Sequence, residues 1–320
     1  GLGDVYKRQV PSQLFFEKVN PPPATDNFLK TLLSLAVLNC CSMNQTPEVR
    51  NDTLKPIHLK EVFSSKNPRL ARCIPGFIYS WLKGVVCLNE INDFISKHGE
   101  RKGIDFADAV MEYLELSVDV KGIENLPAPG KRCIFVSNHP LGGPDGIALI
   151  SFLGKYYPAL KFPVNDILLN LRNLHSIFLP VNKHGNMSRE AVKAIQDAYA
   201  SDNQMIMFPA GLCSRKKHGR IQDLTWQKNF IVEAVKYQRD IVPIFISGQN
   251  SNFFYNLSNF RKKIGLKVNI EMIWLPKEAY KKKGERLVFK IGKPIPWQSL
   301  DKSRKPLEWA AFIKDIVYHL

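Results

Sequence analysis

Hydrophobic positions change period along the chain, and the changes divide it. From Asn67 onward, Leu70, Cys73, Ile74, Phe77, Ile78, Trp81, Leu82, Val85 and Val86 recur at three- and four-residue intervals, the spacing of one helix face. Arg69, Arg72, Lys83 and Glu90 supply polar positions and Trp81 an amphipathic ring, so this helix suits a membrane interface as well as a protein core. The run is too short and too interrupted to span a bilayer. A second amphipathic helix is expected from Asp105 to about Ser117, with Phe106, Val110, Tyr113 and Leu114 on one face.

Beyond Val118 the pattern becomes short apolar runs alternating with helices. Strands are expected over residues 118–121, 132–137, 177–181, 205–208, 241–247 and 286–291. Val268, Ile270, Met272 and Trp274 alternate with Lys267, Asn269 and Glu271, which predicts a further half-buried strand. Helices are expected over 145–156, 167–174, 188–200 and 225–238, the third with Ser188 as its N-cap. Such alternation predicts an α/β fold, a mostly parallel mixed sheet flanked by helices. Residues 118–320 are then expected to form the α/β domain that would carry any catalytic site, and residues 43–117 a helical N-terminal segment suited to membrane association. Residues 1–42, which precede the first methionine, Met43, and contain Pro21-Pro22-Pro23, read as a non-native or unstructured leader.

One turn concentrates the chemistry. The apolar run Cys133-Ile134-Phe135-Val136 enters Asn138-His139-Pro140-Leu141-Gly142-Gly143-Pro144-Asp145, and a helix leaves it. A histidine and a carboxylate thus lie on a tight bend between two buried elements, with prolines and glycines to fix unusual backbone angles. Taken alone, the same residues also fit a helix N-cap preceded by an ordinary turn.

Charge narrows the partners. With 45 Lys and Arg against 29 Asp and Glu, the net charge of +16 predicts attraction to something anionic: nucleic acid, a phospholipid surface or an acidic carrier. Two clusters stand out, Arg215 to Arg220 and the stretch from Arg261 to Lys293, which carries eleven Lys or Arg against three Glu. No zinc-finger spacing or RNA-binding signature accompanies them, so nucleic acid is not the expected partner. The six cysteines include no C-x-x-C pair, which fits reduced core residues and suggests no metal site. No G-x-S-x-G elbow marks a serine hydrolase, and no phosphate-binding G-x-x-x-x-G-K-[ST] loop marks a nucleotide enzyme.

Four blocks, in order, carry a resemblance. Asn138-His139 with Asp145 resembles a histidine–aspartate catalytic motif. Residues 177–183, ending in Lys183, resemble a second block. Phe208-Pro209-Ala210-Gly211 with Ser214-Arg215 resembles an F-P-E-G-T-R-S block, and Ile241-Val242-Pro243-Ile244 a late Val-Pro-Ile block. Over roughly residues 118–297 the chain resembles the PlsC-type glycerolipid and lysophospholipid acyltransferases. That resemblance implies the glycerolipid acyltransferase fold and a bacterial enzyme of membrane lipid synthesis. The acyl group would come from acyl-CoA or an acyl carrier protein and pass to a lysolipid hydroxyl without a cofactor. It also implies a peripheral or monotopic place at the cytoplasmic face of the inner membrane, on an anionic surface. Two departures bear on the acceptor: five residues, not four, separate His139 from Asp145, and Ala210 stands where the family has a glutamate that helps bind glycerol phosphate. These variants look more like the acyltransferases of aminolipid synthesis, which esterify an N-(3-hydroxyacyl) amino acid.

The residue roles follow. Acyl transfer to an alcohol needs a base, and a free imidazole, titrating near ~6.5, suits that task. His139 is the expected base and Asp145 its orienting carboxylate, on the logic of a serine-protease triad. Exposed backbone N–H groups near Gly211, with Asn138, Gly142, Gly143, Phe208, Pro209 and Ser214, are expected to line the substrate site. Arg215, Lys183 and Lys228 are candidates to hold a phosphate or carboxylate, Arg215 by its bidentate fork. The rival reading is a catalytically inactive lipid-binding or nucleic-acid-binding protein.

Overall fold

The computed structural model describes residues 57–59, 72, 74–165, 168, 171–181, 188–266 and 269–320. The leader, most of the first predicted helix before Ile74, and Lys183 lie outside the described residues. Among the described residues three helices come first: α1 (Gly76–Val85), α2 (Leu88–His98) and α3 (Gly103–Tyr113). The expected long amphipathic helix therefore stops at Val85, and Cys87, at φ 50°, turns the chain into α2. Among the described residues no helix is long and apolar enough to cross a membrane.

Seven strands among the described residues then build one sheet. They are β1 (Ser117–Lys121), β2 (Cys133–Ser137), β3 (Leu160–Asn165), β4 (Phe178–Val181), β5 (Gln204–Met207), β8 (Asp240–Ile246) and β9 (Arg286–Ile291); β6 (Arg215–Lys217) and β7 (Arg220–Gln222) form a separate hairpin. The sheet order is β1-β9-β8-β2-β5-β3-β4. Every pair is parallel except β8 with β9, the mostly parallel mixed sheet expected from the sequence. Central β2 is buried on both faces: Cys133 and Phe135 join one core, Ile134 and Val136 the other. The first core packs under α3 and α4 (Pro144–Gly154). The second packs under α5 (Arg189–Ala200), α6 (Asn229–Tyr237) and the C-terminal α9 (Pro306–His319), which follows α7 (Asn252–Lys263) and α8 (Leu275–Tyr280) in the chain. The carboxyl ends of β2, β5 and β8 lie side by side, the usual place for a site in such a sheet.

Three sequence expectations need correction. Strand β3 was not anticipated, because Pro158 and Pro163 disguise it. Phe162 N–H bonds toward β4, at Ile177 O, so the missing N–H of Pro163 falls on the β5 side, where pairing already ends at Lys161. The expected strand over 268–274 is instead a 3-10 turn, Ile270–Trp274, leading into α8. The alternation misled because Glu271, assigned to the solvent side, is fully buried. The helix expected from Thr225 begins only at Asn229. Its first residues are held away by Trp226 Nε1 donating to Asp223 (2.9 Å) and Gln227 N to Pro209 O (3.0 Å).

Candidate active site

The turn after β2 folds back on itself as the histidine–carboxylate pairing requires. His139 Nδ1 lies 3.0 Å from Asp145 Oδ2. The same oxygen accepts from Leu141 N (2.8 Å) and Gly142 N (3.2 Å), while Oδ1 accepts from Gly146 N (2.9 Å). Asp145 is fully buried in the first turn of α4; Gly143, not Asp145, is the N-cap. Burial pushes the Asp145 carboxyl up, but His139 and the two backbone donors outweigh it and hold it below the usual carboxylate range. An ionised Asp145 accepts the Nδ1 proton and so leaves Nε2 of His139 as the basic nitrogen. The ring stacks on Phe208, centroids 4.1 Å apart and planes at 17°, which fixes its second rotational freedom.

Several residues expected to touch substrate are instead engaged in holding this turn. Asn138 donates from Nδ2 to Ile246 O (2.8 Å) and accepts at Oδ1 from Ile246 N (2.7 Å), tying the end of β2 to β8. Gly142 sits at φ 91°, and a Cβ there would meet Leu275 at 3.0 Å, so glycine is needed for both conformation and space. Gly143 needs neither, since a Cβ would meet nothing within 4 Å. Gly211 closes a turn, its N–H donating to Phe208 O (2.9 Å), which removes it as a free oxyanion donor. Pro209 accepts from Gln227 and so brings exposed Lys228 beside the third block.

Arg215 is the largest departure. It is only 4% exposed, and its fork faces inward: Nη1 donates to Cys213 O (2.7 Å) and Nη2 to Glu271 Oε1 (3.1 Å). Arg261 Nε donates to the other oxygen, Oε2, at 3.0 Å. The anion that the fork was expected to hold is thus already present as Glu271.

Asp223 is the residue that sequence reasoning missed. Its buried carboxylate accepts from His139 N (3.1 Å) and Ser214 Oγ (2.6 Å) on Oδ1 and from Trp226 Nε1 on Oδ2. Ser214 N in turn donates to His139 O (2.7 Å), so both backbone polar groups of His139 are held by the third block and its acid. Lys314 Nζ on α9 donates to Asp223 O (2.7 Å), and Tyr318 OH accepts from Asp223 N (2.7 Å). The only sequence signal is a lone acid just after a basic cluster and three residues before a tryptophan.

Neither Ser214 nor Cys213, in the loop after β5, is set up as a nucleophile. Ser214 Oγ donates to Asp223, not to the imidazole, and burial pushes the Cys213 thiol up to about 11 against the pull of Arg215. Among the described residues, no group of three or more His, Cys, Asp or Glu is placed to hold a metal ion.

A doubly covered, mostly parallel sheet that sets a buried carboxylate against an imidazole at the carboxyl end of its central strand is an α/β architecture whose geometry suits general-base chemistry. The acyltransferase family model matches residues 61–320, and the chain belongs to this family. It is 46% identical over 271 residues to the lyso-glycine lipid O-acyltransferase of Bacteroides thetaiotaomicron, covering 84% of this chain and 99% of that protein. The protein of the same name from Phocaeicola vulgatus is 44% identical over 88% of this chain and 99% of its own length. A crystal structure of the 1-acyl-sn-glycerophosphate acyltransferase PlsC from Thermotoga maritima is 18% identical, with a TM-score of 0.43 over 76% of this chain and 88% of that one. The chain is an acyltransferase.

Proposed function

We propose that the protein O-acylates a lyso-glycine lipid, an N-(3-hydroxyacyl)glycine, in bacterial membrane lipid synthesis. The observation that carries the reaction is the His139–Asp145 pair in a chain of this family. His139 Nε2 takes the proton of the acceptor hydroxyl as its oxygen attacks the thioester carbonyl carbon, and Asp145 stabilises the resulting imidazolium. Collapse of the tetrahedral intermediate breaks the C–S bond. The leaving thiolate takes the proton back from His139, which yields ester and free thiol with no acyl-enzyme.

The choice of acceptor rests on two supports. Relatives 46% and 44% identical carry that activity in their names. In addition, the groups that would hold a glycerol phosphate are altered, with alanine at 210 and the Arg215 fork occupied by Glu271. Exposed Lys228, beside Pro209, is the cation we assign to the acceptor carboxylate, in place of a bidentate arginine. The donor is acyl-CoA or an acyl carrier protein thioester, and the basic surface serves the acidic carrier and an anionic membrane at the cytoplasmic face. Residues 43–117 would contribute to membrane association, with the catalytic domain from 118 onward.

Purified protein assayed with an acyl carrier protein thioester against N-(3-hydroxyacyl)glycine and lysophosphatidate in parallel tests this reading. Faster ester formation on the glycine acceptor, abolished in His139→Ala, is expected. Preference for lysophosphatidate would overturn the acceptor, and full activity of His139→Ala would overturn the base.

A further inference from the structure

Two helices far apart in the chain share an apolar face. On α1, Phe77 is 73% exposed and Trp81 51% exposed, four residues apart and so on one side. Phe253 and Phe260 on α7 and Ile264 at its C-cap are 50%, 58% and 57% exposed and follow one stripe. The two stripes meet at Trp274, whose ring packs edge-on against Trp81 (5.8 Å) and Phe253 (5.5 Å). Together they make an apolar face with Trp81, Trp274 and Phe253 in ring contact at its centre, in contrast to scattered exposed side chains, which need no explanation.

Its charge is of one sign. Neither α1 nor α7 contains an Asp or Glu, and α7 ends in Arg261-Lys262-Lys263. The β6–β7 hairpin lies against the same helix: Lys216 Nζ donates to Asn252 Oδ1 (3.0 Å) and Asn259 Nδ2 to Lys216 O (3.2 Å), which places exposed Lys217 at the rim. The acids of the neighbouring segment, Glu271 and Glu278, are buried. Large aromatic side chains ringed by lysine are the composition that partitions into an anionic bilayer surface.

The face is also fixed to the catalytic turn. Arg261 of α7 and Arg215 of β6 both bond Glu271 in the 3-10 turn that bears Trp274, and Leu275, the next residue, closes over Gly142.

We propose that this composite face docks on an anionic lipid bilayer, so that a lysolipid reaches His139 from the membrane plane past Leu275. Part of the membrane contact then comes from the catalytic domain rather than from the N-terminal segment alone. The proposal rests on the lysolipid reading above, but binding is measured with no donor or acceptor present. A protein that docks by this face yet fails to acylate would retire the reaction and leave the surface standing.

The test is co-sedimentation of the full chain with vesicles of phosphatidylcholine, with and without phosphatidylglycerol. Phe253→Ser/Phe260→Ser should lower partitioning about tenfold or more, as loss of two interfacial aromatics implies. Lys262→Glu/Lys263→Glu should lower it only with phosphatidylglycerol and at low salt. Should the apolar double variant fail to fold, the unaltered protein still decides: brominated lipid should quench tryptophan fluorescence, and Trp81→Phe should remove part of that quenching. Wild-type binding by both double variants overturns the proposal. So does quenching that Trp81→Phe leaves unchanged, or a dimer that these variants dissociate in a protein that binds no vesicles.

Discussion

Two buried carboxylates lie on either side of the third block, and they do opposite things. Asp145 faces a titratable ring whose second nitrogen has no hydrogen-bond partner among the described residues, in a side chain 15% exposed. Glu271 faces two guanidinium groups that are permanently charged, in a cluster closed to solvent. The first arrangement can take up and release a proton without losing its partner. The second can only hold still. On the reading proposed above, the chemistry belongs to the turn and the Arg215–Glu271–Arg261 cluster holds the loop over it, although sequence alone gives an arginine in an acyltransferase block the more catalytic look.

The largest expected effect is on turnover. His139→Ala should lower kcat by roughly 10²–10⁴-fold, the usual worth of a general base, with a loss of stability well below that of Glu271→Ala because the backbone N–H groups of Leu141, Gly142 and Gly146 still hold Asp145, read by steady-state thioester consumption alongside a thermal melt. A variant that lost stability instead would place His139 with Glu271 as a structural group and dissolve the contrast. Glu271→Ala should behave in reverse. Leaving two buried guanidinium groups unpaired should cost about 3–5 kcal/mol of stability in a denaturant titration, and Glu271→Gln should recover part of it. If Glu271→Ala left stability unchanged but raised the acceptor KM, the arginine fork would belong to the substrate after all.

The different legibility of these two regions has a physical cause. His139 and Asp145 are six residues apart on one turn, so their pairing is local and the sequence carries it. The N-cap of α5 was legible for the same reason, Ser188 Oγ accepting from Ala191 N at 3.1 Å. Arg215 meets Glu271 across 56 residues and His139 meets Asp223 across 84. No spacing rule reports such pairs, and a buried acid among basic residues reads as solvated until the fold is known. The central strands were evident as continuous apolar runs, which is what burial on both faces demands. Strand β3 was hidden because prolines are tolerated where pairing has ended, and the turn at 270–274 was misread because alternation cannot say which set of side chains faces inward.

Asp223 sharpens the comparison from between the two regions, since it touches the catalytic turn through the backbone alone. Asp223→Ala should lower kcat by about 10–100-fold, the scale set by a small misplacement of a catalytic group, while the KM for the acyl donor stays close to that of the parent. Asp223→Asn should fall between, because an amide oxygen can still accept from His139 N and Ser214 Oγ whereas its NH2 opposes Trp226 Nε1. A merely structural residue would lower stability and the active fraction, leaving turnover per folded molecule unchanged.

The smallest expected effect is on the acid stability that Asp145 contributes. Asp145 is held below its ordinary range in the folded chain, chiefly by His139 and the backbone of Leu141 and Gly142 working against burial. A depressed carboxyl contributes stability that is fully present above its unfolded value, about 3.9, and is lost as pH falls through the lower folded value. Denaturation of the parent protein should therefore steepen on the acid side of that value, and Asp145→Asn should flatten the curve there. His139→Ala should flatten it in part, because the backbone donors remain to hold the carboxylate charged. An acid limb identical in all three proteins would mean that Asp145 gains nothing from its ring partner, and that the dyad is held by the turn rather than by its own charge.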